Sequence, residues 1–367
     1  MRLYSTLLSY IARSYLKALL GATLIVSSLL FLFDIIEITR RTGSQSIGID
    51  LVAEMAFYRL PMALQASLPF VFMGGAVLVF WKFARSSELV VFRSIGMSVW
   101  KFLSPIILVV VVLGVMNVTL FNPLAASMYA KFEQMEATLE TSVNSTPLAF
   151  DDGGLWLREN REDGQVVMHA REVRQIDHAL RMKDVTILRL GLDGRFRERV
   201  DASSAGLEKG RLLLSDAMVT QPGRQGEHFD TLVEPSNLTL PKIRDSFLPP
   251  ETVSFWDLPD FIRFFDAAGF SSHAHRLQWH ALLASPLLLV AMVLMGAVFS
   301  LKPSQRSVNW LFRIVGAVAA GFAVFFFSKI TFTLGLAETL PVSMAAWSPT
   351  LVTTFVALTI LFHLEDG

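Results

Sequence analysis

The sequence has 367 residues, of which 53% are hydrophobic and 17% are charged, and its 32 basic and 32 acidic side chains leave no net charge. A soluble domain carries about 25% charged residues, so this composition indicates a membrane protein and offers no basic excess for nucleic acid. Cysteine is absent, which excludes disulfides, cysteine-ligated zinc and thiol catalysis.

Six apolar stretches are long enough to cross a bilayer core of about 30 Å, which takes about 20 helical residues. They run from about Leu16 to Ile36, Leu60 to Phe80, Phe102 to Phe121, Trp279 to Phe299, Leu311 to Leu334 and Trp347 to Phe362. The stretch before the first, "MRLYSTLLSYIARSYLK", lacks a small-residue cleavage site. We interpret it as a helix that leads into a retained span.

Basic residues that flank the spans predict the orientation, because cytoplasmic loops are enriched in lysine and arginine. One side of the membrane collects Arg2, Arg13, Lys17, Lys82, Arg85, Arg93, Lys101, Lys302, Arg306 and Arg313. The short loops of the other side hold Arg40, Arg41 and Arg59. We therefore expect both termini in the cytoplasm, and the long segment between the third and fourth spans outside.

Two ionisable residues lie within apolar spans: Asp34 in "FLFDIIEITRR" and Lys329 in "FFFSKITF". Each lies roughly 25 Å along its helix from the cytoplasmic end, near the external boundary. An unpaired charge there costs a few kcal/mol unless it snorkels or pairs. Two interpretations are equally open: the charges form a paired gate or contact a lipid phosphate, or they simply snorkel to the interface.

Arg40 and Arg41 extend the first helix, either to bind anionic headgroups or as a solvated helix end.

The stretch "KFARSSELVVFRSIGMSVWKF" between the second and third spans is amphipathic. Its pattern predicts a helix of about residues 86–98, with Glu88 at the positive end of the helix dipole. Gly96 is expected inside this helix, where glycine costs about 1 kcal/mol, and this favours the close approach of another surface. We therefore prefer a coupling helix docked to a separate ATPase over a helix lying on the inner leaflet. Its contact residues would be Glu88, Leu89, Phe92, Arg93 and Gly96.

The segment from about 122 to 275 begins as an extension of the third helix and then changes to alternating, strand-like runs such as "QVVMHAREV" and "RLLLSDAMVT". Turn pairs such as Asp163-Gly164 and Lys209-Gly210 separate the runs. We predict an inserted all-β domain, a sandwich or jellyroll-like sheet, between helical regions 1–121 and 276–367. The final "SFWDLPDFIRFFDAAGF" is typical of an amphipathic helix at the membrane surface.

Motifs of catalysis and cofactor binding are missing, since the sequence contains no GxxxxGK[ST], no GxGxxG after a strand and no HExxH. His273, His275 and His280 allow either a metal site or a polar connector, and the lack of a nearby acidic ligand favours the connector. The pair Asp151-Asp152 before Gly153 is interpreted as loop solvation or turn chemistry, with a catalytic pair as the alternative. We therefore predict a transporter subunit that has no catalytic residues and binds neither metal nor cofactor itself.

The segment "RSSELVVFRSIGMS", directly after the second span, closely resembles the LptF/LptG (YjgP/YjgQ) family of lipopolysaccharide export permeases. Its "SELVV…G" wording is most similar to LptG. The likeness extends along the chain through six spans, an external β domain and "RSV" at 306–308. It implies a permease subunit of an ABC transporter in the bacterial inner membrane. Such a subunit extracts lipopolysaccharide and passes it to a periplasmic bridge protein.

The resemblance also implies partners: an LptF-like permease in a heterodimer, an LptB-like ATPase dimer that holds ATP and Mg²⁺, and an LptC-like single-span protein. By this likeness Glu88 matches the coupling-helix acid, and Arg40 and Arg41 match a basic pair near the lipopolysaccharide phosphates. Spans one and five form the family's lateral gates, so Asp34 and Lys329 would face the partner permease or the lipid. Related chains can carry a basic residue near position 34, and we hypothesise that Lys329 supplies that charge here.

Three other classes of membrane protein share parts of this pattern. Another lipid or lipoprotein ABC exporter usually has four spans per chain rather than six. A membrane sensor with a ligand-binding β domain needs a cytoplasmic output domain, and we expect none after "HLEDG". An intramembrane enzyme needs convergent His, Ser or Asp side chains within the spans, where only Asp34 and Lys329 stand out.

Overall fold

The computed structural model describes residues 2–42, 48–94, 96–143, 155–161, 164–176, 179–191, 195–208, 211–223, 225–235, 249–268, 271–300 and 310–366. The chain divides into two compact units. The helical unit comprises Met1–Met135, Pro250–Pro259 and His273–Gly367, and the β unit comprises Glu136–Pro249 and Asp260–Ser272.

The helices follow the apolar stretches of the sequence but continue into their polar flanks. In chain order they are α1 (Arg2–Thr42), α2 (Ile49–Arg85), α3 (Glu88–Ser94), α4 (Val99–Met116), α5 (Asn122–Val143), α6 (Leu258–Ala268), α7 (His273–Ser300), α8 (Trp310–Leu336) and α9 (Val342–Asp366). A π-helical segment, Asn117–Phe121, joins α4 to α5 without a break, and a 3₁₀ turn, Pro250–Thr252, precedes α6. The helix predicted from "SFWDLPDFIRFFDAAGF" is α6.

Within the described residues, six helices are long and apolar enough to cross a membrane. They lie at Thr6–Arg41, Ile49–Arg85, Val99–Glu136, His273–Ser300, Ile314–Leu336 and Val342–Leu364. This confirms the predicted fold class, a helical membrane protein with six spans. The helices exceed the predicted spans, because a helix whose hydrogen bonds are internal can continue past the bilayer core.

Helix α7 lies at the centre of the helical unit, where it contacts α2, α4, α8 and α9. The contacts are close because small residues meet bulky ones. A Cβ atom at Gly114 of α4 would lie 2.9 Å from the Cα of Pro286, and one at Gly296 would lie 3.1 Å from the carbonyl oxygen of Met73. Helix α1 packs against α2 and α4. We call the end of this unit where α2 passes into α3 the α3 end, and the end where α5 begins the insert end.

The β unit contains six antiparallel strands in the order β1-β2-β3-β4-β5-β6. They are β1 (Leu155–Arg161), β2 (Gly164–Ile176), β3 (Ala179–Gly191), β4 (Phe196–Glu208), β5 (Arg211–Thr220) and β6 (Glu227–Pro235). The inserted β domain is therefore confirmed. The described strands form one sheet in which each pairs with its sequence neighbours, as in a meander. The interleaving of two sheets that defines a jellyroll is not seen among these strands. Short connections between successive strands favour this hairpin order.

One face of the sheet carries the apolar core of the β unit, which includes Met168, Met182, Ile187, Leu212 and Leu214. Arg189 of β3 forms ion pairs with Glu198 of β4 and with Glu234 of β6. Two strands separate β3 from β6, so the second ion pair connects strands that are not neighbours in the sheet.

Candidate functional site

Helix α3 follows α2 after a two-residue turn. Ser87 has a positive φ of 60°, and its carbonyl oxygen accepts hydrogen bonds from the amides of Val90 and Val91, at 3.1 and 3.3 Å. The hydroxyl of Ser86 donates to Oε1 of Glu88 over 2.7 Å. This arrangement holds the carboxylate in the first turn, at the positive end of the helix dipole.

One side of α3 is anchored in the core of the helical unit. The ring of Phe92 lies 5.8 Å from that of Phe83 and 5.6 Å from that of Phe102, and Leu89 packs against the same cluster. On the other side, Val90 and Val91 are 68% and 56% exposed. Leu89 and Phe92, predicted as contact residues, therefore face the chain's own core, and the two valines take the outward position.

Gly96 ends α3 instead of lying inside a longer helix, so this part of the prediction was wrong. Its φ is 74°, and the amide of Met97 donates to the carbonyl of Phe92 over 3.1 Å. This is the glycine-containing C-terminal motif of helices, which needs a left-handed residue. Ser98 then caps α4 by accepting from the amide of Lys101.

Two cations beside α3 stack on aromatic rings. The guanidinium of Arg85 lies 5.3 Å from the ring centroid of Trp81, and the ammonium of Lys82 lies 5.9 Å from that of Tyr10. The side chain of Arg93 and the motif at 306–308 lie outside the described residues, as does the pair at 151–152.

At the insert end, Asp34 of α1 is paired with a cation of α2. Its Oδ1 lies 3.3 Å from Nη1 of Arg59, whose guanidinium also lies 5.5 Å from the ring centroid of Phe132. The Asp34 side chain is only 12% exposed, and its Oδ2 has no hydrogen-bond partner among the described residues. The in-chain partner of Asp34 is thus Arg59, which the sequence analysis had treated only as a flanking charge, and not Lys329.

The predicted basic pair of α1 is bonded to its own helix. Arg40 and Arg41 both donate to Glu37, with closest distances of 2.9 and 2.8 Å. The two arginine side chains are 74% and 54% exposed, so these ion pairs contribute little to stability. The Glu37 carboxylate therefore holds the two guanidinium groups only weakly.

Helices α1 and α8 bury the least of their apolar surface. Only 11% of the residues in the apolar window of α1 and 17% in that of α8 are buried, against 67% for α7. The uncovered face of α1 includes Leu20, Leu24, Leu32, Phe33 and Ile36. The uncovered face of α8 includes Val315, Val318, Phe322, Phe326 and Ile330. Lys329 is exposed on α8 and has no ion pair within the described residues.

The three histidines at the start of α7 have different surroundings. A ring nitrogen of His273 lies 2.6 Å from the carbonyl oxygen of Gly335, and Nδ1 of His280 accepts from the indole of Trp347 over 3.4 Å. His275 is buried. Among the described residues, no group of three potential metal ligands comes together.

A polar network at the insert end was missed by the sequence analysis. Gln65 of α2 donates to Oδ1 of Asn117 over 3.3 Å and accepts from Nδ2 of Asn122 over 3.1 Å. Oδ1 of Asn122 accepts from the backbone amide of Phe255 over 2.9 Å. The indole of Trp256 donates to the carbonyl of Thr119 over 3.0 Å. We call these six residues the amide joint. The signal was present, since polar amides within apolar spans are usually functional.

The comparison with protein families accounts for nearly the whole chain. Residues 9–363 match the family "Lipopolysaccharide export system permease LptF/LptG". The chain belongs to the LptF/LptG family. A search of curated proteins returns no matching relative.

Membership of the LptF/LptG family confirms the resemblance that rests on residues 85–98, and with it the permease role. The matched region contains α3, the uncovered faces of α1 and α8, the amide joint and the β unit. Of the predicted site residues, the structure groups Glu88 with Leu89 and Phe92 on α3. It groups Asp34 with Arg40 and Arg41 at the end of α1, and it leaves Lys329 on a separate helix.

Proposed function

We propose that this chain is the LptG-type permease subunit of an ABC exporter that extracts lipopolysaccharide from the bacterial inner membrane. The observation that carries the proposal is α3. This short helix is fastened by the buried ring of Phe92 while Val90 and Val91 remain exposed beside Glu88. A membrane permease without a nucleotide-binding motif needs an external source of energy, and an exposed helix packed against the spans through a buried ring is suited to receive it.

The partner of α3 in this proposal is an LptB-like ATPase dimer, which binds ATP and Mg²⁺. Val90 and Val91 provide an apolar contact, and Glu88 provides a charge that selects a basic patch on the ATPase. Charge complementarity of this kind sets the register of an interface more than its affinity. The core contacts of Phe92 would pass displacement of α3 to α2 and α4.

The uncovered faces of α1 and α8 are proposed to meet an LptF-like permease and the lipid between the two subunits. Acyl chains bind such faces by apolar burial, which contributes about 0.8 kcal/mol per methylene. A lipid leaving the membrane loses this burial, so extraction needs an energy source. We propose that ATP supplies it by collapsing the lipid-binding cavity. Arg40 and Arg41 would hold phosphates after displacing Glu37, and Lys329 would add a cation on α8.

The proposed orientation follows the basic residues around the spans. The α3 end and both termini lie in the cytoplasm, and the β unit lies in the periplasm, where it passes lipid to an LptC-like protein and a periplasmic bridge. This placement puts α3 within reach of a soluble ATPase.

A second candidate is export of a less anionic lipid. It is favoured by the pairing of Arg40, Arg41 and Arg59 with two carboxylates of the same chain, Glu37 and Asp34, which neutralise part of the positive charge at the insert end. Photocrosslinking from position 33 or 36 of α1, followed by mass spectrometry of the captured lipid, separates the candidates. Capture of lipopolysaccharide supports the first, and capture of another lipid supports the second.

The function is tested by charge reversal at Glu88 in cells whose only copy of the gene is the variant. We expect Glu88→Arg to block export, so that lipopolysaccharide accumulates in the inner membrane while the protein is still made and inserted. Glu54→Arg is the matched control, because it reverses an exposed carboxylate near the opposite end of α2. Normal growth and normal lipopolysaccharide distribution in the Glu88→Arg strain would refute the coupling role.

A further inference from the structure

The amide joint is directional, and its two asparagines are buried. Asn122 is 1% exposed and Asn117 is 7% exposed. Each amide hydrogen bond fixes the orientation of the next, because the nitrogen of Gln65 faces an acceptor and its oxygen faces a donor. Removing one partner of a buried hydrogen bond costs more free energy than the bond contributes net to stability, because the remaining polar group is left unsatisfied. The joint therefore holds its parts in one relative position.

The amide joint connects two segments that are far apart in the sequence. Asn122 is the first residue of α5, where the chain leaves the spans for the insert, and Phe255 lies where the chain returns, 133 residues later. The joint thus binds the outgoing and returning connections of the insert to each other. Both connections belong to the helical unit, since Pro250–Pro259 groups with the spans.

Gln65 connects this pair to a helix that also reaches the other end of the unit. Helix α2 continues unbroken from Gln65 to Arg85, about 30 Å away, and α3 follows after two residues. Helix α2, with Pro69 inside it, is therefore a continuous connection between α3 and the side chain that holds the two connections.

The π-helical segment adds a second attachment. Trp256 is 60% exposed, yet its indole nitrogen is bonded to the carbonyl of Thr119 inside the segment. Single-turn π-helical insertions within α-helices occur frequently at functional sites. This bond and the Phe255–Asn122 bond hold adjacent residues of the returning connection at two points.

We propose that the amide joint transmits movement of α2 to both connections of the β insert, with Gln65 as the central positioning residue. The proposal deepens the proposed function and rests on it. Lipid transfer to the insert would then depend on Gln65, whereas ATP hydrolysis driven at α3 would not.

The test compares Gln65→Leu with the unchanged full-length chain in its native complex. We expect ATP-driven lipid transfer to fall about tenfold, as for loss of a buried hydrogen-bonding partner, while ATP hydrolysis stays within about twofold. Ser67→Ala is the matched control. Among the described residues, the Ser67 hydroxyl donates only to the carbonyl oxygen of Ala63, within α2 itself. The variant Gln65→Leu/Asn117→Leu removes both ends of one bond but still leaves Nδ2 of Asn122 without its acceptor, so it should recover part of the lost stability without recovering transfer.

A distance measurement tests the joint without any transport assay. The chain has no native cysteine, so spin labels at Leu124→Cys and Asp257→Cys report only on α5 and the returning connection. We expect one narrow distance distribution that broadens when Asn122→Leu is added. An unchanged distribution, or normal transfer by Gln65→Leu, would overturn the joint alone. Absence of ATP-driven transfer in the unchanged chain would overturn the proposed function and, with it, the transmission.

Discussion

The two ends of α2 are held by different forces. At the α3 end, the rings of Phe80, Phe83, Phe92 and Phe102 pack on one another with centroid separations of 5.6–5.8 Å. At the insert end, α2 is held by the Arg59–Asp34 ion pair and by the amide joint through Gln65.

The difference suggests different mechanical properties. Aromatic packing depends on buried area and tolerates small sliding or tilting of one ring against another. Hydrogen bonds between buried amides are lost when the geometry changes by a fraction of an ångström or by tens of degrees. In the proposed mechanism, a compliant contact at α3 and a fixed contact near the insert would let α2 receive movement at one end and deliver it at the other.

The largest effect is expected at the aromatic contact. Phe92→Ala removes a buried ring and should destabilise the docking of α3 by about 3–4 kcal/mol, in the range for buried Phe→Ala changes. The melting temperature of the purified chain in detergent should fall, and α3 should become susceptible to limited proteolysis. Val90→Ala, at an exposed position of the same helix, should change neither measurement. Equal damage from both variants would show that α3 is not anchored by Phe92.

A smaller effect is expected when the ion pair is broken. Arg59→Leu leaves the largely buried carboxylate of Asp34 without its cation and should cost about 2–3 kcal/mol, somewhat less than for a fully buried pair. The double variant Asp34→Leu/Arg59→Leu removes both charges and should recover most of that loss. Thermal unfolding of the two variants measures the coupling. If the double variant is as unstable as Arg59→Leu, then the pair does not hold α1 to α2.

The smallest effect concerns two glycines that both have open space for a Cβ atom. Gly96→Ala forces a left-handed alanine and should destabilise the end of α3 by about 1 kcal/mol. Gly74→Ala lies within α2 and should stabilise it by up to about 1 kcal/mol, because alanine favours helix. Unfolding midpoints of the two variants should therefore move in opposite directions. A shift of the same sign would contradict the assignment of Gly96 as a helix terminator.

The sequence predicted those parts of the structure that depend on local pattern. Hydropathy located the six spans, and alternation with turn pairs located the strands, because both signals are carried by neighbouring residues. Glu88 was placed correctly in the first turn of α3 for the same reason. Gly96 was misplaced because the pattern of apolar residues does not distinguish a glycine inside a helix from one that ends it.

The remaining features depend on contacts between distant parts of the chain. Arg59 partners Asp34 across 25 positions, and Phe255 bonds to Asn122 across 133 positions. The direction in which Phe92 faces is decided by Phe83 and Phe102 of the neighbouring spans, and not by α3 itself. Such pairings are set by tertiary packing, so residue types alone indicated a candidate site but not its partners.

The central claim is that α3 couples this LptF/LptG-family permease to an ATPase. The most direct test is purification of the tagged full-length chain from native membranes in mild detergent, with and without Glu88→Arg, followed by identification of the bound proteins. We predict stoichiometric recovery of a soluble ATPase and a second six-span permease with the unchanged chain, and loss of the ATPase alone with Glu88→Arg. Recovery of the unchanged chain without an ATPase in several detergents, or equal ATPase recovery with Glu88→Arg, would contradict the claim.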